Sequence, residues 1–153
     1  MKSALFVAGL LLTTTVSAVE QIYLDRLMNS GICHHCNLAD ADLQGQDFSG
    51  ADMSEALLKR INLSETKLVG TWFTRSRIHN GNFENADLST ALLDYSLLIG
   101  ANLKGVNFNG AKLNFADLTD ADLTGATLEN TVLRGVKFCN TTMPDGTINN
   151  SGC

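Results

Sequence analysis

Residues 111–130 read AKLNF ADLTD ADLTG ATLEN, four groups of five with alanine first and leucine third. The same spacing continues outward in both directions. From Cys36 to Asn140 there are twenty-one consecutive five-residue units without an insertion. The third residue of every unit is a medium or large apolar one, from Leu38, Leu43 and Phe48 through Phe83 and Leu103 to Leu133 and Phe138. The first residue is mostly small, as at Ala41, Ala51, Gly81, Ala101 and Ala121, and the second is often Asp or Asn. A fixed short period decides the architecture before any local reading does.

Neither regular element keeps these positions in one core. A helix turns about 100° per residue, so a five-residue step drifts by about 140° and leaves no constant face. In a flat strand an odd period sends Leu38 and Leu43 to opposite sides. A chain that bends once per unit does keep them together. Each unit is then one side of a coil with its central residue pointing inward, and coils stack about 4.8 Å apart through main-chain hydrogen bonds.

This pattern, a small residue, Asp or Asn, Leu or Phe, then two variable positions, resembles the pentapeptide-repeat family. The likeness covers residues 36–140. It implies an all-β fold: a right-handed quadrilateral parallel β-helix with four units per coil, about five coils here, and a rod of roughly 25 Å at the strand spacing. Met143 and Ile148 hold the same phase, which predicts that the last coil extends into the tail.

Residues 1–18 read as a secretory signal peptide, with Lys2, an apolar run from Ala4 to Leu12, and small residues at Val16-Ser17-Ala18. Nine apolar residues are too few to span about 30 Å of hydrocarbon. The expected location is therefore exported, periplasmic or secreted, with no membrane attachment after cleavage near Ala18. Removal of Lys2 takes the formal net charge from −5 to −6, which argues against nonspecific nucleic-acid binding. The expected organisation is a signal peptide at 1–18, an N-terminal cap at 19–35, the repeat at 36–140 and a C-terminal cap at 141–153. Open coil ends expose backbone groups and must be covered. A short helix from Glu20 to Met28, with Tyr23, Leu24, Leu27 and Met28 on one face and Asn29-Ser30-Gly31 as its stop, suits the first end.

Four cysteines in an exported chain suggest two disulfides. On the rod that the resemblance implies, Cys33 and Cys36 lie at one end and Cys139 and Cys153 at the other. A disulfide needs Cα atoms within about 7 Å, so the expected pairs are Cys33–Cys36 and Cys139–Cys153. The second closes a loop worth about 3 kcal/mol in the chain-entropy model. The Cys33-His34-His35-Cys36 motif also admits thiol–disulfide exchange, through a thiolate stabilised by histidine, or metal binding by thiolates and imidazoles. A structural bridge is the plainer reading. The motif lacks the following histidine that haem attachment needs, because residue 37 is Asn. No catalytic set, metal site or cofactor motif is otherwise visible, and a non-enzyme is expected.

In the implied fold, residues twenty apart stack in columns and the second, fourth and fifth positions face solvent. Two faces are bland, with Asp42, Asn62, Asn82, Asn102 and Asp122 on one and Asp47, Ser49, Asp87 and Asn107 on the other. The remaining two adjacent faces differ. One carries Trp72, Arg75, Leu92, Tyr95, Phe115 and Val132; its neighbour carries Leu57, Lys59, Arg60, Arg77, His79, Leu97 and Ile99. Trp, Tyr and Arg dominate binding hot spots, and apolar patches mark interaction sites. The candidate patch is therefore Trp72, Arg75, Arg77, Leu92, Tyr95, Leu97, Ile99 and Phe115, docking a protein partner or a second copy as a homodimer. The leading function is a non-enzymatic interaction or structural rod. Alternatives are a redox protein using the CHHC motif and a DNA mimic of the kind the family uses against DNA gyrase, which the export signal disfavours. Trp72 and Tyr95 would also suit stacking on a glycan.

Overall fold

The computed structural model describes residues 18–153. The export signal expected at 1–18 lies outside the described residues, except for Ala18, the first residue of helix α1 (Ala18–Ser30). After α1 the chain runs through short isolated parallel bridges. It ends in a two-stranded antiparallel pair, β1 (Thr141–Thr142) with β2 (Ile148–Asn149).

The bridges fix the architecture. The second residue of each unit pairs with the residue twenty positions on, from Ile32↔Asp52 to Asp122↔Thr142, nineteen times without a slip. A five-residue unit and a twenty-residue register make each coil four-sided.

Each amide of a unit has its own destination. The second and third residues bond the adjacent coils, as in Asn62 N–H to Ala41 C=O at 2.9 Å and Leu43 N–H to Asn62 C=O at 2.8 Å. The fifth also reaches the next coil, as in Gly45 N–H to Ser64 C=O at 3.0 Å, and the first closes the corner, as in Ala51 N–H to Phe48 C=O at 2.9 Å. That leaves the fourth. Its N–H donates to the Asp or Asn side chain two residues earlier: Ser54 to Asp52 at 2.9 Å, Ser64 to Asn62 at 3.2 Å, Thr124 to Asp122 at 2.9 Å. The preference for Asp and Asn at the second place is therefore local backbone satisfaction. The same side chains also ladder between coils, as in Asn62 Nδ2 to Asp42 Oδ1 at 2.8 Å and Asn102 Nδ2 to Asn82 Oδ1 at 3.0 Å.

The corners carry the strain. From His35 to Asn140 every fifth residue has positive φ, and fourteen of these twenty-two are not glycine. Only the third of the four turn residues is left-handed, the pattern of a type II turn. Asn, Asp and Gly tolerate it; Thr90, Tyr95 and Phe115 pay a steric cost of about 1–2 kcal/mol.

First and third positions form one continuous core. Leu38, Met53, Leu63, Phe73, Phe83, Leu98 and Phe108 are fully buried, with Ala56, Ala91 and Ala116 beside them. Phe73 and Phe83 meet edge to face at 6.0 Å between centroids. Where the first residue is Thr or Ser, its hydroxyl stays buried by donating to a backbone carbonyl. Thr71 reaches Phe48 C=O at 2.9 Å, and Ser96 reaches Leu93 C=O at 2.7 Å.

The ends refine three expectations. The coil geometry begins one unit earlier than residue 36: Ile32 is already bridged, and Cys33 and Cys36 occupy the buried third and first places of consecutive units. Helix α1 buries Leu27 in the core with Tyr23 and Leu24 packed against it, but Met28 is 58% exposed and does not share that face. Gly31, at φ +68, ends the helix with its N–H on Leu27 C=O at 2.9 Å, a left-handed stop. At the other end the coil phase holds only to Pro144, whose C=O accepts from Gly125 N–H at 3.0 Å. The chain then reverses, Met143 N–H bonding Thr147 C=O, and Ile148 is 53% exposed instead of continuing the core.

Two carboxyls of the ladders are tuned. Burial pushes the Asp117 and Asp122 carboxyls up, but hydrogen bonds from the hydroxyl and N–H of Thr119 and Thr124, with Lys137 and Lys104 alongside, outweigh it and hold both below the usual carboxylate range.

Three outcomes follow for unfolding in urea. Phe83→Ala should cost about 3–5 kcal/mol. Thr90→Asn should raise stability by about 1 kcal/mol, because Asn accepts the left-handed corner. The depressed Asp117 and Asp122 contribute stability that is present above the unfolded pKa of about 3.9 and lost as pH falls through their lower folded values. The urea midpoint should therefore drop below about pH 4, and the double change Asp117→Asn, Asp122→Asn should make that drop shallower.

Candidate interaction surface

One corner of the coil runs the length of the stack as a single column of fifth positions: His35, Glu55, Arg75, Tyr95, Phe115 and Gly135. His35 Nδ1 lies 3.5 Å from Glu55 Oε2. The Arg75 guanidinium sits 5.9 Å from the Tyr95 ring centroid. The Tyr95 and Phe115 rings stack at 5.2 Å with 15° between their planes, and Arg134 approaches Phe115 at 5.9 Å. The Phe115 ring lies over Gly135, where a Cβ would come within 2.6 Å of ring carbons. Glycine at 135 thus lets the column end flat.

Beside this corner, bridged second positions form the next column, Asp52, Trp72, Leu92, Lys112 and Val132. Trp72 is 50% exposed, Tyr95 51% and Phe115 46%. Half of each large ring therefore faces water while the other half rests on neighbouring coils. On the adjoining face Leu57, Arg77, Leu97 and Asp117 form the matching column. A shallow cleft between the two columns is lined by His35, Glu55, Leu57, Arg75 and Arg77.

The structure thus brings Trp72, Arg75, Arg77, Tyr95 and Phe115 together as exposed groups. Leu92, Leu97 and Ile99 lie in the same region but are half-buried, so they form the floor of the patch, not its contact surface. His79 lies at the surface as expected, though half-buried. Arg60 is tied down by Asp40, its Nη2 on Oδ2 at 2.6 Å, a bond that lowers the Asp40 pKa and raises that of Arg60. It is less available to a partner than Arg75 or Arg77.

Units bearing Leu57, Trp72, Arg77, Leu92 or Leu97 at the second place lack the Asp or Asn acceptor used elsewhere for the fourth N–H. The patch therefore departs from two local preferences of the repeat, that acceptor and the small or Asx-type residue at the left-handed corner.

Both expected disulfides are present, Cys33–Cys36 and Cys139–Cys153. The first closes a repeat corner: Cys36 N–H donates to Cys33 C=O at 3.2 Å and His35 has φ +58. The intervening His34 and His35 side chains are exposed and in mutual contact, Nε2 to Nε2 at 2.9 Å. Sequence reasoning missed that Glu55 joins them. The signal was available, since Glu55 is twenty residues beyond His35. No helix among the described residues is long and apolar enough to cross a membrane.

The family described as pentapeptide repeats matches this chain in eight copies, over residues 36–71, 56–94, 87–125 and 116–147. Among solved structures, the pentapeptide repeat protein Rfr23 from the cyanobacterium Cyanothece 51142 is 28% identical. The likeness covers 81% of this chain and 96% of that one with a TM-score of 0.76. A pentapeptide repeat protein of the Arabidopsis thaliana thylakoid lumen is 26% identical over 71% of this chain and 83% of its own, at a TM-score of 0.65. Comparison with curated protein sequences returned no match. The matched repeats and the shared coil place this chain in the pentapeptide-repeat family, whose fold is the right-handed quadrilateral β-helix.

Proposed function

We propose that this protein is an exported, non-enzymatic pentapeptide-repeat rod that docks a protein surface along the corner of Arg75, Tyr95 and Phe115. One observation carries the reading. Two stacked aromatic rings are held, half exposed, at positions whose left-handed backbone disfavours bulky side chains by about 1–2 kcal/mol each. Stability selection alone would place Gly or Asn there, as at Gly45 and Asn80. Aromatic rings with guanidinium neighbours are the composition of binding hot spots. With Arg77, Lys112 and Arg134 exposed around them, the complementary partner is an apolar patch with an acidic rim.

Export is supported by the two disulfides, which persist in oxidising compartments. A redox role has less support, because Cys33 and Cys36 are both fully buried and exchange needs an accessible sulfur. A DNA-like surface has less support as well. The ladder of Asp42, Asn62, Asn82, Asn102 and Asp122 is built largely of neutral amides, while duplex DNA carries a charge about every 1.7 Å. Helix α1 and the tail from Thr141 to Cys153 act as caps in this reading, with Leu27 as the plug of the first end.

Two experiments test it. The double change Trp72→Ala, Tyr95→Ala should abolish concentration-dependent association in light scattering, or crosslinking to a partner, while the far-ultraviolet spectrum stays unchanged. Association that survives the change contradicts docking at this corner. Leu27→Ala should cost about 2–4 kcal/mol and should expose the amides of the first coils, near Leu43 and Phe48, to hydrogen exchange before those around Leu98. Uniform exchange along the rod would remove the capping role of α1.

A further inference from the structure

The two exposed imidazoles between Cys33 and Cys36 form a group separate from the aromatic patch. The disulfide and the corner hydrogen bond hold both residues on one tight turn. His34 Nε2 and His35 Nε2 lie 2.9 Å apart, with the rings nearly perpendicular at 86°. One coil on, Glu55 faces the opposite edge of the His35 ring, Oε2 to Nδ1 at 3.5 Å. Donor atoms of His34, His35 and Glu55 all fall within 4.8 Å of one another.

We propose that His34 and His35 chelate a divalent copper ion, with Glu55 as the positioning residue that orients His35. The donor spacing is compatible with two cis nitrogens on one ion. Two nitrogens each about 2.05 Å from one ion and 2.9 Å apart subtend about 90°, whereas a tetrahedral ion wants about 3.3 Å between them. A right angle is the cis arrangement of tetragonal Cu2+ or Ni2+, and copper stands highest in the affinity order for nitrogen sites. The cysteines take no part, because both are consumed in the bridge.

The Glu55 carboxylate, with Oε2 3.5 Å from Nδ1 of His35, favours a proton on that nitrogen. That tautomer leaves Nε2 of His35 as a bare lone pair. In that tautomer the 2.9 Å contact is an Nε2–H donated by His34 to His35 in the metal-free protein. His34 binds copper after its proton moves to Nδ1, an exchange that an exposed ring makes through water. The remaining positions around copper are open to water or to an anionic group. Arg75 and Arg77 line the same cleft and oppose a bare dication, and the charge of Glu55 offsets part of that repulsion.

The test is calorimetric titration of the disulfide-intact chain with Cu2+ alone, joined to electron paramagnetic resonance of the loaded protein. One ion should bind with hyperfine structure from two nitrogens. His34→Ala and His35→Asn should each weaken binding at least tenfold; Asn is chosen at 35 because it tolerates the left-handed corner. Glu55→Gln should weaken binding by about tenfold or more while the two-nitrogen spectrum persists, the mark of a group acting through a ligand. His79→Ala should change nothing. Absence of binding, equal binding by the histidine variants with unchanged far-ultraviolet spectra, or loss of binding in His79→Ala alone would overturn the proposal. So would Zn2+ binding more tightly than Cu2+.

Discussion

One residue in five must take a left-handed backbone for this chain to turn its corners, and the rest of the structure depends on that constraint. With a corner at every fifth residue, four sides close a coil and the next coil lands in a twenty-residue register. The register then assigns every side chain a direction. First and third residues meet in the core, second residues form ladders on the faces, and fifth residues stack along the corners. Because each coil bonds mainly to its two neighbours, stability is approximately a sum over adjacent layers, and the ends are its weak points. Leu27 at one end and the Cys139–Cys153 bridge at the other occupy those points.

Much of this was legible in the residues themselves. The unbroken row of apolar third positions from Leu38 to Phe138 forces a coil that bends once per unit, and residues twenty apart fall into columns as the bridges show. The role of the second position was less visible. Asp42 and Asn62 read as bland, solvent-facing repeat positions, and the geometry adds that they accept the fourth N–H of their own units. The left-handed corner was also missed, although Gly45, Gly50, Asn80, Gly105, Asp120 and Asn140 repeat it in composition. Bulky residues such as Arg75, Tyr95 and Phe115 obscured that signal, because they stand at the same left-handed corner. At the tail, Met143 and Ile148 kept the repeat phase, yet Asp145 and Gly146 form a turn that reverses the chain and leaves Ile148 outside.

The patch was legible in outline and corrected in detail. Column positions brought Trp72, Tyr95 and Phe115 together, but the degree of burial depends on neighbours that a periodic reading does not weigh. Leu92, Leu97 and Ile99 are half-buried, and Arg60 turns to Asp40. The surface that remains is narrower and more aromatic, with guanidinium groups at its edges. The same column places Glu55 against His35, so one corner of the coil carries an ionic and imidazole end and an aromatic end. A regular scaffold of this kind sets the spacing of unlike groups at about 4.8 Å per coil, and the proposed docking surface lies where the repeat is broken.

The twenty-residue register is the claim on which all of these placements rest, and amide-proton nuclear Overhauser contacts test it most directly. This register predicts inter-coil contacts between residues related by twenty positions, as for Asp42 with Asn62 and Leu92 with Lys112, in an unbroken series from Ile32 to Thr142. A different separation, or a break in the series within the middle coils, would dissolve the columns and contradict the assignment of the Tyr95 and Phe115 corner.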